Sequence, residues 1–338
     1  MRRGAFLSKE SSNMKKILAA SLLAVASVAA QAQDKLPVVA SFSILGDLVT
    51  QIGGDRVSVR ALVGPDGDAH VFQPSPQDAA VVASARLLVI NGLGFEGWIE
   101  RLTGTSRFAG ITTIASDRVK AIEVEAHDGH GHGKESAGKP AAPEAPGAHS
   151  HAHGAHGDHH HGPQDPHAWQ DPRRVKTYVA NIVAGLSKAD PAGAAYFTSR
   201  AADYVAKLDA LDAWIDAEIA AVPESKRKVI TSHDAFGYYE NRYRVEFVSV
   251  SGVSTDAEAA AGDVASIIRL ARKEGIKAIF VESISNARMI EQVAREANAK
   301  VGARLYSDAL SAASGPAGDY LTMMRYNTEQ LVKGMKLN

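Results

Sequence analysis

The sequence predicts an α/β protein of two lobes, each a mostly parallel sheet flanked by helices, joined by one long helix. Three observations carry this. Short β-branched or apolar runs alternate with longer Ala-rich helical patterns, as βαβ units around a buried parallel sheet require. The alternation stops in mid-chain and later starts again. Between the two series lies a stretch, Asp190-Pro191 to about Ala221, that is helical by composition for some thirty residues, with Pro223 as its stop. At 1.5 Å per residue such a helix extends roughly 45 Å, more than one small domain needs.

The first series runs in order. Leu36–Phe42, Val57–Val63, Leu87–Asn91 and Gly110–Ile114 are expected strands, with helices at Ile44–Ile52, Pro76–Ala85 and Trp98–Leu102 between them. Pro172–Lys188 is a helix opened by an Asp-Pro start. In the second series the expected strands are Lys228–Thr231, Val245–Val250, Ala278–Glu282 and Val301–Tyr306. Helices are expected at about Ala261–Glu274 and Ala287–Ala297, and a last one from about Ala317 to Lys333. The expected domains are therefore 33–190 for the first lobe, 191–222 for the linking helix and 223–338 for the second lobe. No tandem sequence repeat relates the two.

Ahead of the first strand, Met14-Lys-Lys16 precedes the apolar run Ile17–Val28 and the small-x-small site Ala30-Gln31-Ala32. This reads as a secretory signal peptide over 1–32, with Met14 as an alternative start to Met1. Its apolar run falls short of the roughly 18 residues that argue for a membrane span. The chain contains no cysteine, so neither a disulfide nor a lipid-modified cysteine is available. The expectation is a free monomeric protein of a bacterial periplasm. A net charge of −1 argues against a nucleic-acid or anionic-membrane partner.

Histidine distribution points to transition-metal chemistry. Ten of the thirteen histidines fall between Ala126 and Asp165, in a segment filled out with Gly, Pro and Ala that lacks the apolar content to fold. An imidazole suits zinc, copper, nickel and iron. The segment, a His-rich loop over about 126–164, is expected to collect zinc weakly through His149, His151, His153, His156, His159, His160 and His161. A soluble linker that binds metal incidentally is the alternative.

The remaining three histidines stand alone. His70 follows the strand ending at Val63 through the turn Gly64-Pro65-Asp66-Gly67, and His233 comes two residues after Thr231. Asp308 comes two residues after Tyr306 at the end of the last expected strand. In open α/β sheets the crevice beyond the carboxyl ends of the strands is where ligands bind. His167 is flanked by Asp165 and Asp171, either of which could fix its tautomer. Three imidazoles and one carboxylate make a four-coordinate zinc set. Taken singly, each is more often a hydrogen-bonded loop residue or a turn cap.

At these positions the chain resembles a known family. Asp68-Ala-His-Val-Phe-Gln-Pro-Ser-Pro-Gln-Asp78, Asp165-Pro-His-Ala-Trp-Gln-Asp-Pro172, Thr231-Ser-His-Asp-Ala-Phe-Gly-Tyr238 and Tyr306-Ser-Asp-Ala-Leu310 resemble, in order, four ligand-bearing motifs. They are those of the metal-specific periplasmic solute-binding proteins of ABC transporters, cluster 9, zinc type. The resemblance implies a clamp holding one Zn2+ between its lobes through His70, His167, His233 and Asp308, with no enzymatic activity. It implies delivery to an ABC-type membrane permease with a cytoplasmic ATPase, and admits a periplasmic zinc metallochaperone as a further partner. Manganese-selective members typically place Glu where this chain has His233, the softer choice. The lack of cysteine departs from members with a disulfide in the second lobe.

Competing readings are a manganese or iron carrier of the same family, a zinc hydrolase, a dinucleotide-binding enzyme and a surface or adhesion protein. A hydrolase needs an open metal position and a general base, and Glu282 is the only base to nominate. Gly92-Leu-Gly-Phe-Glu-Gly97 with Asp117 is formally a dinucleotide fingerprint. However, Glu96 would face the pyrophosphate and the following helix is short. No sequence feature supports adhesion.

Overall fold

A computed structural model describes residues 34–124, 164–256 and 259–338. The expected signal peptide, and the His-rich loop with all of its histidines, lie outside the described residues.

The first sheet has the strand order β2-β1-β3-β4, every pair parallel, with β1 Leu36–Phe42, β2 Val57–Val63, β3 Leu87–Ile90 and β4 Ile111–Ile114. Strand β1 is buried at six of its seven positions, as a central strand covered on both faces must be. The chain turns from β1 to β2 on one side and reaches β3 on the other, so the crevice at the carboxyl ends of β1 and β3 is the topological switch point. Helices α1 (Ser43–Gly53), α2 (Pro76–Ser84) and α3 (Ile99–Ser106) make the connections. Helix α2 starts where its sequence dictates, with a Ser75/Asp78 capping box and Pro76 in its first turn. Helix α4 (Pro172–Ala189) is capped by Asp171, whose side chain accepts from the Arg173 amide.

The long helix α5 spans Ala194–Ala220, preceded by a separate 3₁₀ turn at Pro191–Gly193. It is therefore shorter at its start than the continuous helix expected from Asp190. Phe197, Ala201, Tyr204, Leu208, Leu211, Ile215 and Ile219 form its buried stripe, at the three- and four-residue spacing of a helix packed along one face. Asp212 on this helix accepts from Arg173 of α4, and from Arg242 and Tyr243 of α6 (Gly237–Tyr243). One carboxylate thus pins a helix from each side of the molecule to the same rod.

The second sheet departs from expectation. Only β5 (Lys228–Thr231) and β6 (Glu246–Ser249) form a parallel ladder. The segments expected as strands at 278–282 and 301–306 are joined only by isolated parallel bridges, Ile230 to Ile279, Ile279 to Val301 and Glu282 to Leu305. The hydrogen bonds give the reason. Gly302 donates to the Ile279 carbonyl and Leu305 to that of Val281, so three residues on one segment match two on the other. That extra residue is a bulge, which breaks a continuous ladder. Helices α7 (Ala261–Glu274) and α8 (Ala287–Glu296) flank this sheet, and α9 (Tyr320–Met335) closes the chain. Helix α9 begins three residues later than expected because Asp319 and Thr322 form a capping box. Helix α6 was not expected: its run Gly-Tyr-Tyr-Glu-Asn-Arg-Tyr has weak helix propensity and holds together by burying three tyrosines.

Asn327 of α9 clamps the backbone that leads to Asp308, its Oδ1 accepting from the Tyr306 amide at 3.0 Å and its Nδ2 donating to the Tyr306 carbonyl at 2.6 Å. Asn327→Ala leaves both buried backbone groups unpaired, at about 1–3 kcal/mol each. A fall in unfolding free energy of at least about 1 kcal/mol in urea titration is the expected result; no change refutes the clamp.

Candidate metal centre

All three lone histidines and Asp308 arrive at one place. His70 ends the loop after β2, where Asp66 donates its amide to the Leu310 carbonyl and draws that loop against the Asp308 segment. His167 sits over the switch point of the first sheet. A buried carboxylate organises that switch point: Glu96 Oε1 accepts from Ser41 Oγ at 2.6 Å and from the Asn91 amide at 2.7 Å. Asn91 in turn donates to the Pro166 carbonyl at 3.0 Å and accepts from Tyr178 at 2.6 Å. Gly92, with φ +85°, makes this turn possible. The Gly92–Gly97 segment is thus a turn built around Glu96, and the helix after it covers eight residues. It is not a phosphate cradle.

His233 follows β5, and Asp308 follows the bridge at Leu305. Trp169 Nε1 and Gln170 Nε2 both donate to the Ser307 carbonyl at 2.8 Å, tying the His167 turn to the residue before Asp308. One ligand atom from each of His70, His167, His233 and Asp308 lies within 4.8 Å of all the others. His70 Nε2 is 3.3 Å from His167 Nε2 and 3.1 Å from Asp308 Oδ2. His233 Nε2 is 3.1 Å from Asp308 Oδ2, and His167 Nε2 is 3.6 Å from Asp308 Oδ1. A tetrahedron with metal–nitrogen bonds of 2.0–2.1 Å has edges of about 3.3 Å, close to these four contacts, and the wider 4.8 Å limit of the full set leaves small side-chain shifts to close the rest around an ion. Side chains of His167, His233 and Asp308 are at most 1% exposed, and that of His70 is 5% exposed.

The outer partners orient the rings. Asp165 Oδ1 lies 2.7 Å from His167 Nδ1 and also accepts the His167 amide at 2.9 Å. With the proton on Nδ1, Nε2 is left as the free donor atom. Asp165 is therefore the carboxylate that fixes His167, while Asp171 caps α4. Gly237 leaves room for this carboxylate, since a Cβ at that position would come 2.7 Å from Asp165 Oδ2 and push it aside. Glu282 Oε2 lies 2.6 Å from His233 Nδ1, an ion-pair distance without the alignment of a hydrogen bond. Its Oε1 accepts the Ser232 and His233 amides, each at 2.9 Å. Glu282 thus stands behind His233, on the ring edge away from Nε2, where it supports a ligand and cannot activate a water on the metal side.

Sequence reasoning did not foresee three partners: Glu282 toward His233, Asn327 behind Asp308, and Asp68, whose Oδ1 accepts the His70 amide at 2.9 Å. Asp68 and Asp165 share a readable signal, an Asp two residues before a ligand His. No comparable signal marks Asn327.

Electrostatics follow from burial and proximity. Burial opposes the charged form of His167, but Asp308 and the hydrogen bond to Asp165 outweigh it and push the imidazole up to about 9. For His233 burial is likewise overcome, by Glu282 and Asp308, and the ring is raised well above its ordinary value. Burial would lift Asp308, yet His167 and His233 hold it well below the usual carboxylate range. Asp308 Oδ1 is buried without a hydrogen-bond partner, which suits a group made for a cation. Glu282→Gln should weaken metal binding by about 10- to 100-fold, the usual cost of an outer partner. Competitive titration against a chelator measures it, and unchanged affinity would show that Glu282 is only structural.

A family model described as the periplasmic component A of a zinc-uptake complex, ZnuA, matches residues 38–334. The chain is 32% identical over 313 residues to the manganese-binding lipoprotein MntA of Bacillus subtilis, covering 90% of this chain and 91% of that protein. It is 28% identical over 300 residues to the iron-binding protein YfeA of Yersinia pestis, covering 89% and 86%. Among solved structures, the periplasmic zinc-binding protein TroA of Treponema pallidum superposes with a TM-score of 0.76 at 24% identity, over 89% of this chain and 99% of that one. The manganese-bound periplasmic metal-binding protein of Candidatus Liberibacter asiaticus gives 0.72 at 26% identity, over 89% and 100%. The fold is that of TroA: parallel sheets flanked by helices, with one long helix.

Proposed function

Because the chain belongs to the ZnuA family of extracytoplasmic metal-binding proteins that serve ABC importers, we propose that it captures Zn2+ in the periplasm and delivers it to a membrane permease. Members of this family bind and hand over a metal; they are not enzymes. In this reading His70, His167, His233 and Asp308 are the ligands, and the metal is cargo, released when the two lobes (33–190 and 223–338, linked through 191–222) move apart. The observation that supports it is the convergence of three imidazoles and one carboxylate held in its ionised form, with one ligand atom of each within 4.8 Å of all the others. Three nitrogen donors favour zinc over manganese, which prefers carboxylate and carbonyl oxygen. The His-rich loop would raise local zinc near the tight site.

A second reading, manganese or iron as cargo, is supported by the names of the relatives MntA and YfeA. Affinity alone does not separate the two, since a nitrogen-rich site binds zinc above manganese and ferrous iron at equilibrium whatever the cell loads. The test is the metal content of protein released from the periplasm of cells grown with all three metals. One equivalent of zinc per chain is expected. Manganese or iron in its place overturns the zinc assignment and leaves the site intact.

A further inference from the structure

The two sides of the site are held together unequally. On one side, Trp169, Gln170 and Asp66 bond to residues 307–310, and Leu310 donates to Ser43 Oγ. On the other side lies the segment after β6. There, among the described residues, the hydrogen bond that reaches across is Thr255 Oγ1 to Asp68 Oδ2, at 2.7 Å. Asp68 uses its other oxygen, Oδ1, to hold the His70 amide. The least buried ligand and the crossing segment therefore share one carboxylate.

Thr255 also separates two spaces. Val253, Ser254 and Asp256 help line an open mouth, about 620 Å³, into which His70 and Phe95 face. Thr255 itself lines a second, smaller open pocket of about 290 Å³ shared with Asp68, Ser232 and His233. A segment with empty volume behind it can move without repacking a filled core. The many bonds on the opposite side keep that side closed.

We propose that Thr255 and Asp68 form a latch that sets the rate of metal release: Thr255 positions Asp68, Asp68 positions His70, and loss of the Thr255 hydroxyl frees the 253–256 wall to open over His70. This rests on the capture reading above. One hydrogen bond of this kind corresponds to about a 3- to 10-fold change in a rate or equilibrium.

The test is stopped-flow release of one equivalent of zinc from the chain beginning at Gln33 into excess chelator. Thr255→Val should release about 3- to 10-fold faster, with association changed less than about twofold, since interface changes act mainly on dissociation. Thr255→Ser, which keeps the hydroxyl, should behave as wild type and serves should the valine variant fail to fold. Wild-type release from Thr255→Val, or a Ser variant as fast as Val, overturns the latch and leaves the capture reading standing. A wild-type chain that holds no zinc overturns both.

Discussion

Replacing His70 by alanine is expected to lower zinc affinity by more than about 100-fold, the upper end for losing an outer partner, because a ligand itself is removed. A closed four-coordinate site becomes three-coordinate with a position open to water. The fold should survive: His70 lies at the edge of the site with its side chain 5% exposed, whereas His167 and His233 each stand on a buried carboxylate that their loss would orphan. The melting temperature of the metal-free protein should fall by no more than about 4 °C, as for about 1 kcal/mol in a domain of this size. Deletion of residues 126–161, measured beside it, should leave the tight site in place. If tight binding vanishes with that deletion while His70→Ala binds as wild type, the ligand set proposed here is wrong.

The second large effect is pH dependence. Without metal, His167 stays protonated up to about pH 9, and His233 is also raised, both through neighbouring carboxylates that outweigh burial. Metal ligation needs neutral imidazoles, so capture at pH 7 must expel those protons. Each expelled proton makes affinity rise by about tenfold per pH unit, so His167 alone gives about tenfold per unit below pH 9, and His233 steepens the rise wherever it too is charged. Calorimetry in two buffers of different ionisation enthalpy counts the protons, and a count of zero would overturn the charge assignment. Folding has the opposite sign. A histidine raised on folding stabilises the metal-free protein most below its ordinary value of 6.5, and that contribution is lost as pH climbs through about 9. Asp308, lowered on folding, contributes above the ordinary carboxylate range and loses its contribution as pH falls toward its folded value. Thermal melts at pH 6 and pH 9.5 should therefore diverge in the metal-free state, with the acid side higher.

The two effects bear on release. A site whose metal-free form is proton-loaded exchanges protons for metal, so acid favours emptying. Two buried histidines each backed by a carboxylate also keep Nε2 facing inward before metal arrives, which limits the reorganisation needed at capture.

Much of this was legible in the residues themselves. Strands β1, β2 and β5 and helix α7 have the bounds that their apolar runs and flanking turns predict. Of the four residues at the centre, His70, His233 and Asp308 were marked by chemistry and by their position after strand ends, and His167 by its flanking carboxylates. Where the reading failed, a nonlocal contact had overridden a local signal. The bulge at 302–305 is defined only by the residues it pairs with, and α6 exists because three tyrosines find a core. Asp165 was marked as a partner of His167 because it lies two residues away, whereas Glu282, 49 residues from His233, was marked only as a base for hydrolysis.

Composition, periodicity and capping determined by themselves that this chain is an α/β protein with a long helix, and that its histidines divide into a tract and three isolated positions. Those properties are local, written within a turn or two of each residue. Only the tertiary structure decided that His70 and Asp308, 238 positions apart, lie 3.1 Å from one another. It alone placed Glu282 behind His233 and Thr255 against the carboxylate that holds His70. The physical reason is that a metal centre is a set of distances between chain segments, and those distances exist only after both sheets and the helix between them have closed the loops that separate its parts.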